Sequence, residues 1–441
     1  ASHQRPQRTM ADLLQGGMRS IRALVDGAGG ETALVKAVHV GLVGYLALKF
    51  LEESLDKSPM SSWLIFWRRN KERKKVIVWI DGCWDMTHFG HFNAFRQAKA
   101  LGDYLIVGLN PDREVIRYKG GAPLMREEER LQSIRACKWV DEVVEDVPYV
   151  LNKEYLNDVV FGKYKVDYVV HGDDPCLDAD GNDVFATSKA AGKYKEIKRT
   201  EGVSTTDLVG RMLMMTRDHF DRSPATSPVP ERTGSSGGFK KSLSFRAGFA
   251  GFLPTTRRIA EFSAPNKRPS PTDRVVYADG AFDLLLPCHI AFLEKARKLG
   301  DFLIVGVHRD EEVNKYKGSN YPIMNLQERV LGALSCMYVD EVVIGAPWEI
   351  TEDMIKTFNI SVVVHGNKYD KTSGGMQDYN DGYRVPKAMG IFREVDSGSA
   401  AGVGDIIQRV MKNRMEFEAK HAKKSAQEQT YYSNKKYVQE A

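Results

Sequence analysis

Two histidines stand three residues apart at the start of a predicted helix in the first half of the chain. His88 and His91 follow an apolar run over 76–80 that predicts a buried strand, which Asp81 ends. The spacing places both imidazoles on one face of the first helical turn, and Gly90 between them leaves room for a ligand. A helix N-terminus adds unpaired N–H groups and partial positive charge. Together these features predict a site that binds phosphate.

A lysine and an acidic residue occupy two further predicted loops. Lys119 is followed by Gly120 and Gly121, and from such a loop its ammonium can reach phosphate as a point charge. The competing explanation is an ordinary solvated lysine. Asp173 follows a predicted strand, where a carboxylate can bind ribose hydroxyls or an ion, although an acidic residue there also favours a plain turn.

A second helix N-terminus is predicted after residue 203. Ser204, Thr205 or Thr206 can cap this helix through a side-chain oxygen. Arg199 stands just before it, and together with the helix N-terminus it would hold a polyphosphate or a base carbonyl. The alternative is a capped helix that binds no ligand, beside an ordinary solvated arginine, which would give the same sequence pattern.

Strands and helices alternate along the part of the chain that carries these groups. The strand candidates are 76–80, 104–108, 142–145 and 166–170, and the helical stretches are 93–101, 127–138 and 205–216. This alternation predicts an α/β fold with a parallel sheet and helices on both faces. Ligands of such sheets bind at the carboxyl ends of the strands, and the candidate residues follow the strands as that rule requires.

The landmarks of the first half recur in the second half. Asp279 repeats Asp81 and Tyr316 repeats Tyr118, both at an offset of 198 positions. A near-constant offset over several such pairs predicts two homologous domains in tandem. The predicted organisation is an N-terminal extension over 1–75, a first domain over 76–216, a flexible linker over 217–272, a second domain over 273–412 and a charged tail over 413–441.

The composition is that of a globular chain. The 441 residues are 42% hydrophobic and 27% charged, with a formal net charge of +5. This mild positive charge suits a polyphosphate or an anionic membrane surface, and no nucleic-acid partner is predicted. The five cysteines contain no C-x-x-C pair and no zinc-type spacing, which fits a reducing compartment and predicts no protein-built metal site.

The extension over 1–75 differs from the rest of the chain. Its apolar run over 37–51 is interrupted by His39 and Lys49 and is too short for a confident transmembrane helix. Aromatic residues over 63–67 precede a basic run over 68–75, which predicts an interfacial anchor facing an anionic leaflet. A helix packed on the first domain is the alternative.

Four motifs taken together resemble those of the cytidylyltransferases of the HxGH nucleotidyltransferase superfamily. They are Asp-Met-Thr-His-Phe-Gly-His over 85–91, Tyr-Lys-Gly over 118–120, His-Gly-Asp-Asp over 171–174 and Arg-Thr-Glu-Gly-Val-Ser-Thr-Thr over 199–206. Two such lobes joined by a linker are similar to the branch of this family that acts on ethanolamine phosphate. The resemblance covers about 76–412, and the apolar extension before it resembles that of plant-type members.

The resemblance implies two tandem Rossmann-like nucleotidyltransferase domains with parallel sheets flanked by helices. It also implies transfer of CMP from CTP to phosphoethanolamine, giving CDP-ethanolamine and pyrophosphate by in-line attack on the α-phosphorus. Mg²⁺ is the expected cofactor, since it accompanies CTP. Phosphocholine or glycerol 3-phosphate as acceptor, and a nucleotide-binding regulator without turnover, are the alternatives.

Roles for individual residues are also implied by the resemblance. The catalytic set is His88, His91, Lys119 and Arg199. A carboxylate at Asp81 suits the primary ammonium of the acceptor, and Tyr149 is expected to line the same pocket by a cation–π contact. The nucleotide-binding set is Gly82, Cys83, Trp84, Asp85, Gly90, Asp173, Thr200, Ser204, Thr205 and Thr206.

The second lobe departs from the motif. Leu286 stands in place of His88, Cys288 in place of Gly90, and Pro287 removes a backbone N–H from the turn. Lys317 is retained at the position equivalent to Lys119, and Trp348 stands opposite Tyr149. We therefore expect the second lobe to support the first structurally or through regulation rather than to catalyse.

The expected partners are CTP and phosphoethanolamine, with membrane association through the N-terminal segment and no nucleic acid. The expected location is the cytosolic face of a membrane, either the endoplasmic reticulum or the mitochondrial outer membrane, and otherwise the cytoplasm. The oligomeric state is left open, with a homodimer as one option.

Overall fold

The structure, a computed structural model, covers both predicted lobes. It describes residues 74–173, 183–200, 202–214, 254–263, 265, 267–367, 381–396, 398, 401–415 and 417. The predicted membrane anchor and most of the predicted linker and tail lie outside the described residues. No helix in the described part of the chain is long and apolar enough to cross a bilayer.

A five-stranded parallel sheet forms the centre of the first lobe. Its strands are β1 (Ile77–Gly82), β2 (Tyr104–Leu109), β3 (Glu142–Val144), β4 (Tyr168–Gly172) and β5 (Tyr194–Ile197). Their order across the sheet is β3-β2-β1-β4-β5, and all pairings are parallel. The strand order reverses beside β1, so the carboxyl end of β1 opens at the crevice where ligands of such sheets bind.

Helices cover both faces of this sheet. They are α1 (Phe89–Ala100), α2 (Asp112–Lys119), α3 (Glu127–Arg135), α4 (Lys153–Tyr155) with a π-helix over Leu156–Lys163, α5 (Ala186–Ala190) and α6 (Thr205–Met214). Burial on both faces explains why β1 and β2 are almost wholly apolar, with Val78 and Trp79 inaccessible to solvent. The helices predicted at 93–101, 127–138 and 205–216 are confirmed over the described residues, although α1 begins four residues earlier and α3 ends three residues earlier than expected.

The second lobe repeats this architecture. Its strands are β6 (Val275–Gly280), β7 (Phe302–His308), β8 (Glu341–Ala346), β9 (Ile360–Gly366) and β10 (Phe392–Val395), in the parallel order β10-β9-β6-β7-β8. Its helices are a 3₁₀ turn over Asp283–Leu285, α8 (Pro287–Arg297), α9 (Asp310–Lys317), α10 (Leu326–Ser335), α11 (Glu352–Thr357), α12 (Arg384–Ala388) and α13 (Val403–Lys412). The prediction of two tandem Rossmann-like lobes is confirmed.

The two lobes pack against each other through equivalent segments. Cys137 of one lobe and Cys336 of the other face each other in an antiparallel bridge, and the Lys138 N–H donates to the Ser335 carbonyl at 3.0 Å. Burial raises the pKa of both thiols to about 12, so they remain protonated. A single cluster of buried apolar side chains draws members from both lobes. The lobes therefore share one core.

The predicted flexible linker over 217–272 needs a correction at its second half. Residues Pro254–Ser263 form a helix, α7, that packs against α10. Phe262 of α7 is fully buried and meets the Trp139 ring edge-on at a centroid distance of 5.0 Å. Its carbonyl accepts a hydrogen bond from the Lys138 ammonium. The Pro- and Ser-rich sequence around α7 favours a flexible linker, and this short amphipathic stretch was therefore missed.

Candidate active site

A cavity of about 810 Å³ opens at the carboxyl ends of the first-lobe strands. The predicted site residues that line it are Asp81, Gly82, Cys83, Trp84, Asp85, His88, Gly90, His91, Lys119, Arg199, Thr200, Ser204, Thr205 and Thr206. Phe417, which follows α13 of the second lobe, also lines it. Asp173 and Tyr149 stand behind this lining rather than in it. The structure therefore gathers nearly all of the predicted residues around one space.

The two histidines form a fixed pair at the N-terminus of α1. His88 is the N-cap residue, and its Nδ1 accepts a hydrogen bond from the Gly90 N–H at 3.1 Å. A neutral imidazole that accepts at Nδ1 carries its proton on Nε2, which is then a donor. The His88 and His91 rings stack with centroids 4.0 Å apart and planes 23° apart. This arrangement confirms the prediction that both imidazoles lie on one face.

Gly90 is needed for the histidine arrangement itself as well as for ligand access. A Cβ at this position would lie 2.9 Å from the Cε1 of His88 and 2.9 Å from the Cγ1 of Val203. Val203 belongs to the segment that leads into α6. A side chain at residue 90 would therefore push the imidazole and the two helix N-termini apart.

Asp85 holds a neighbouring segment of the cavity wall. Its two carboxylate oxygens accept from the Leu124 and Met125 N–H groups, each at 2.9 Å. The turn that presents Asp85 is strained, because Trp84 and Met86 adopt positive φ angles of 54° and 49°. Asp85 was predicted to bind nucleotide, and the structure gives its carboxylate the additional task of fixing the wall.

Lys119 was predicted to lie in a loop, and this prediction is corrected by one residue. It is the last residue of α2, and Gly120 follows as a left-handed cap with φ 72°. The Lys119 ammonium lies 5.7 Å from the centre of the Tyr149 ring, which in turn stacks on Tyr118 at 5.0 Å. Tyr149 was predicted to line the acceptor pocket by a cation–π contact with the acceptor's ammonium; in the structure it is not among the lining residues, and the cation near its ring is Lys119. The lysine is solvent-exposed and can swing towards a ligand.

The segment that carries Arg199 and Thr200 is tied to α1 by two buried amides that sequence reasoning missed. Asn93 Nδ2 donates to the Thr200 Oγ1 at 2.9 Å. Gln97 Nε2 donates to the Lys198 carbonyl at 2.9 Å, and its Oε1 accepts from the Lys198 N–H at 3.2 Å. Two amides four residues apart on an otherwise apolar helix face are the signal that could have found them.

Asp173 steadies the same segment from the sheet side. Its Oδ1 accepts from the backbone N–H of Arg199 at 3.0 Å. The carboxylate therefore holds the arginine's backbone next to the cavity, while the Arg199 side chain lines the cavity itself. The predicted role of Asp173 near the nucleotide becomes one of support.

The N-terminus of α6 completes the wall. Ser204 Oγ accepts from the Asp207 N–H at 3.0 Å, so the predicted cap is confirmed at Ser204. Thr205 Oγ1 donates to the Asp85 carbonyl at 3.1 Å and so joins α6 to the histidine turn. Two helix N-termini, those of α1 and α6, consequently end at the same cavity and bring their partial positive charge to it.

Asp81 places one carboxylate at the end of β1. Its Oδ1 accepts from the Trp79 indole N–H at 2.9 Å. Burial raises the pKa of this carboxyl to about 6, while the Trp79 hydrogen bond and the nearby His171 act in the opposite direction. A partly buried carboxylate short of positive partners is suited to receive a cationic group of a ligand.

Each lobe contains a buried arginine that supports its fold. Arg130 of α3 is inaccessible to solvent and donates to the Cys83 carbonyl at 2.5 Å and to Asp112 at 2.5 Å. Its counterpart Arg329 donates in the same way to the Ala281 carbonyl at 2.7 Å and to Asp310 at 2.6 Å. Because the arrangement persists in the degenerate lobe, it supports the fold rather than the chemistry.

In the second lobe the histidine pair is lost. Leu286 is buried at the position of His88, and Pro287 begins α8. His289 remains, but its Nδ1 accepts from the Leu286 N–H at 3.0 Å, and burial lowers its pKa to about 3. A neutral, enclosed imidazole beside leucine offers no paired donors for phosphate.

The first-lobe cavity thus combines imidazole donors, an ammonium, a guanidinium and two helix N-termini with the carboxylates of Asp85 and Asp81. The Asp85 oxygens accept from the Leu124 and Met125 N–H groups, which leaves the carboxylate of Asp81 to face a ligand. The positive groups match an extended polyanion such as a nucleoside triphosphate, and the carboxylate matches a small cation beside it. Groups of this kind stabilise charge that develops on phosphate oxygens during transfer.

Comparison with known proteins bears on the same residues. The family model described as cytidylyltransferase-like matches residues 79–211 and 277–417, one match for each lobe. Ethanolamine-phosphate cytidylyltransferase from Arabidopsis thaliana is 46% identical over 84% of this chain and 89% of its own length. The enzymes of that name from Dictyostelium discoideum and Mus musculus are 47% and 44% identical over 81% of this chain, covering 96% and 91% of their own lengths.

A second type of relative matches about a third of the chain. Choline-phosphate cytidylyltransferase 2 from Arabidopsis thaliana is 45% identical over 32% of this chain and 45% of its own length. The chain belongs to the cytidylyltransferase-like family, and the relatives that it matches over most of their length are ethanolamine-phosphate cytidylyltransferases.

Proposed function

We propose that the first lobe transfers CMP from CTP to phosphoethanolamine, giving CDP-ethanolamine and pyrophosphate. The observation that supports this most strongly is one cavity that holds the stacked His88 and His91, Lys119, Arg199 and the partly buried carboxylate of Asp81. These groups match the two substrates at once, a triphosphate and a phosphate that carries an ammonium. The names of the two-lobe relatives point to the same reaction.

The reaction is a single in-line displacement in which the chain supplies positioning and charge. An oxygen of the acceptor phosphate attacks the α-phosphorus of CTP, the bond to the β-phosphate breaks, and pyrophosphate leaves. His88 and His91 donate from the start of α1 to the phosphate oxygens, on which negative charge accumulates. No side chain needs to act as a nucleophile.

The cationic residues bring the two anionic substrates together. Lys119, at the end of α2, is placed to neutralise the acceptor phosphate and the triphosphate as they approach each other. Arg199 and the N-terminus of α6 hold the nucleotide from the other wall. Holding both substrates in line removes the entropic cost of their encounter from the chemical step.

The acceptor's ammonium is assigned to Asp81. A primary ammonium donates charge-assisted hydrogen bonds to a carboxylate, whereas glycerol 3-phosphate has no cation to place there. The quaternary ammonium of phosphocholine has no N–H to donate. Asp81 therefore favours phosphoethanolamine over both alternatives.

Mg²⁺ is proposed to arrive with CTP. In the described residues, no group of three or more His, Cys, Asp or Glu side chains could hold a metal ion. The cavity's phosphate-facing groups are imidazole, ammonium and guanidinium, so the residues present do not build a site for a divalent cation. The triphosphate oxygens of CTP would therefore hold Mg²⁺, which would neutralise part of their charge.

The assay uses radiolabelled CTP with phosphoethanolamine, phosphocholine or glycerol 3-phosphate as acceptor, and resolves the products by chromatography. The expected product is CDP-ethanolamine, with the highest kcat/KM for phosphoethanolamine. A new product from another acceptor at a higher kcat/KM would contradict the acceptor assignment. Absence of a nucleotide product with all three acceptors would leave the regulator as the better explanation.

Matched histidine variants locate the activity. His88→Ala and His91→Ala should each lower kcat by about 100-fold or more, because each removes a donor to charge that develops in the transition state. His289→Ala, at the corresponding helix in the second lobe, is the control and should leave kcat within about twofold of wild type. Turnover that survives the first two changes but depends on His289 would place the reaction in the second lobe.

We also propose that the N-terminal extension attaches the enzyme to the cytosolic face of an anionic membrane. The support is the aromatic run over 63–67 followed by the basic run over 68–75. The chain should sediment with vesicles that contain anionic lipid and stay in the supernatant with neutral vesicles or at high salt. Salt-independent binding would argue against this mode. Whether the chain also forms a homodimer is a matter for light scattering on the same preparation.

A further inference from the structure

The second lobe reaches into the first at the active-site wall. Arg409 of α13 donates from Nη1 to the Leu124 carbonyl at 2.9 Å. The same guanidinium binds the Glu129 carboxylate with two hydrogen bonds, at 2.6 and 2.8 Å. Phe417, just beyond α13, lines the cavity beside it. The degenerate lobe thus contributes part of the active-site wall of the intact lobe.

The Leu124 peptide is held from two directions. Asp85 of the first lobe accepts from its N–H, and Arg409 of the second lobe donates to its carbonyl, each at 2.9 Å. The segment 121–124 lines the cavity and leads directly from the end of α2. The position of Lys119 therefore depends on how firmly this short segment is anchored.

The anchor itself is firm. Glu129 is buried in the first turn of α3, where it also accepts from the Arg126 N–H at 2.8 Å. Burial alone would raise the Glu129 pKa, but its hydrogen bonds with Arg409 and Arg126 lower it to about 2. A two-point guanidinium–carboxylate contact of this kind has a defined geometry that a single lysine ammonium does not provide.

The duplication provides an equivalent contact in which the roles of the two lobes are exchanged. Arg211 of α6 donates to the Ile323 carbonyl at 3.2 Å and to the Glu328 carboxylate at 2.7 and 3.0 Å. There the first lobe holds a segment of the second lobe, next to the site in which Leu286 has replaced a histidine. The two arginines make matched contacts between the lobes, and Arg409 holds the segment that lines the intact cavity.

We propose that Arg409 is a positioning residue for the first-lobe reaction. Through the Leu124 carbonyl it fixes the segment after α2 and so holds Lys119 where the two phosphates meet. The inference rests on the proposed function, and it gives the second lobe a task in turnover that needs no second active site. Arg409 acts through Lys119 and touches neither substrate.

The test compares Arg409→Gln with Arg211→Gln in the full chain. Loosening the segment lowers the fraction of enzyme in the reactive arrangement, so Arg409→Gln should lower kcat by about 10-fold and change the KM for CTP less than about threefold. Arg211→Gln loses a matched contact between the lobes, so it should lower the melting temperature to a similar extent while keeping kcat within about twofold. Equal kcat losses in the two variants would overturn the proposal.

A double-mutant cycle separates positioning from general destabilisation. If Arg409 acts through Lys119, Arg409→Gln should lower kcat by less than about twofold in a Lys119→Ala background. A full 10-fold further loss in that background would show that Arg409 acts by another route. Should Arg409→Gln not fold, Arg409→Lys against Arg211→Lys makes the same comparison, with an intermediate kcat loss expected at residue 409 only.

The outcomes distinguish this inference from the proposed function. Wild-type protein that forms no CDP-ethanolamine would overturn the proposed function, and with it the role of Arg409. Wild-type protein that forms CDP-ethanolamine, with kcat insensitive to Arg409→Gln, would overturn the inference and leave the function standing.

Discussion

A residue that is placed to bind a ligand can lower the stability of the folded protein, and Asp81 is an example. Asp81 is kept partly buried without an ammonium partner, and burial raises its pKa to about 6. The folded protein therefore favours the protonated form of Asp81 more than the unfolded chain does. The stability that this group contributes is fully present below pH 4 and is lost as the pH rises through about 6.

Asp81→Asn should accordingly stabilise the ligand-free protein at pH 7. The change removes a disfavoured negative charge while the side-chain oxygen still accepts from Trp79, and we expect a gain of about 1–3 kcal/mol. The same variant should raise the KM for phosphoethanolamine at least about 10-fold, with the KM for CTP little changed.

Urea denaturation at pH 7 and at pH 4 provides the check on Asp81. The gain should shrink at pH 4, where wild-type Asp81 is protonated. Asp158→Asn, at an exposed position on the π-helix, is the control for loss of one negative charge. A destabilised Asp81→Asn at pH 7 would contradict the burial argument.

Gly90→Ala tests the packing of the histidine pair. The added methyl group would press on His88 and Val203 at 2.9 Å, so we expect kcat/KM for CTP to fall by about 10-fold or more. Stability should change by less than about 1 kcal/mol, because alanine favours the helix while the contact disfavours it.

The control for Gly90 is Gly332→Ala in α10 of the second lobe. There an added Cβ meets the Leu285 Cβ at an ordinary contact distance of 3.6 Å. Steady-state kinetics on both variants should show the loss at residue 90 alone. Full activity in Gly90→Ala would mean that the imidazoles need no such close packing.

At the scale of elements, α1 acts as the frame of the site. Its N-terminus presents the histidines, and its buried amides Asn93 and Gln97 hold the segment that leads to α6. One helix therefore sets the distance between the triphosphate donors and the opposite wall.

Gln97→Ala should weaken both stability and nucleotide binding. It leaves the N–H and carbonyl of Lys198 without their partner, at an expected cost of about 1–3 kcal/mol. Because Arg199 and Thr200 follow directly, the KM for CTP should rise several-fold while kcat changes less. Lys295→Ala, at the equivalent position of α8, is the matched control. An unchanged KM for CTP in Gln97→Ala would show that the segment holds its position without α1.

The sequence predicted those elements whose information is local. The buried strand, the histidine spacing and the capping serine of α6 are all legible within a few residues. Lys119 was placed in a loop because its glycine neighbours conceal a helix end, and β5 was missed because its exposed residues, Lys195 and Glu196, mask an edge strand. Asn93 and Gln97 bind residues about a hundred positions away, which local patterns do not contain.

At the scale of the whole molecule, the two lobes pack into one compact unit. One apolar cluster spans both, and α7 closes over it through Phe262. The repeat revealed two domains, but sequence offsets carry no record of which faces meet. The contact between the lobes, including the part of α13 at the cavity, became visible only in three dimensions.

A shared core predicts that the two lobes unfold together. Phe262→Ala removes a fully buried ring between them and should cost about 3–5 kcal/mol. Calorimetry should show one transition for both lobes, shifted to lower temperature as a whole in the variant. Two transitions, of which one is unmoved by the change, would mean that the lobes fold independently.

The hydrogen bond from Arg409 to the Leu124 carbonyl has a thermodynamic consequence. Any effector that binds better to the form in which α13 has moved away from this carbonyl shifts the population towards that form, and should lower kcat while changing the affinity for CTP little. The outer surface of α13 is thus a place where turnover can be adjusted from a distance, without any competitor entering the cavity.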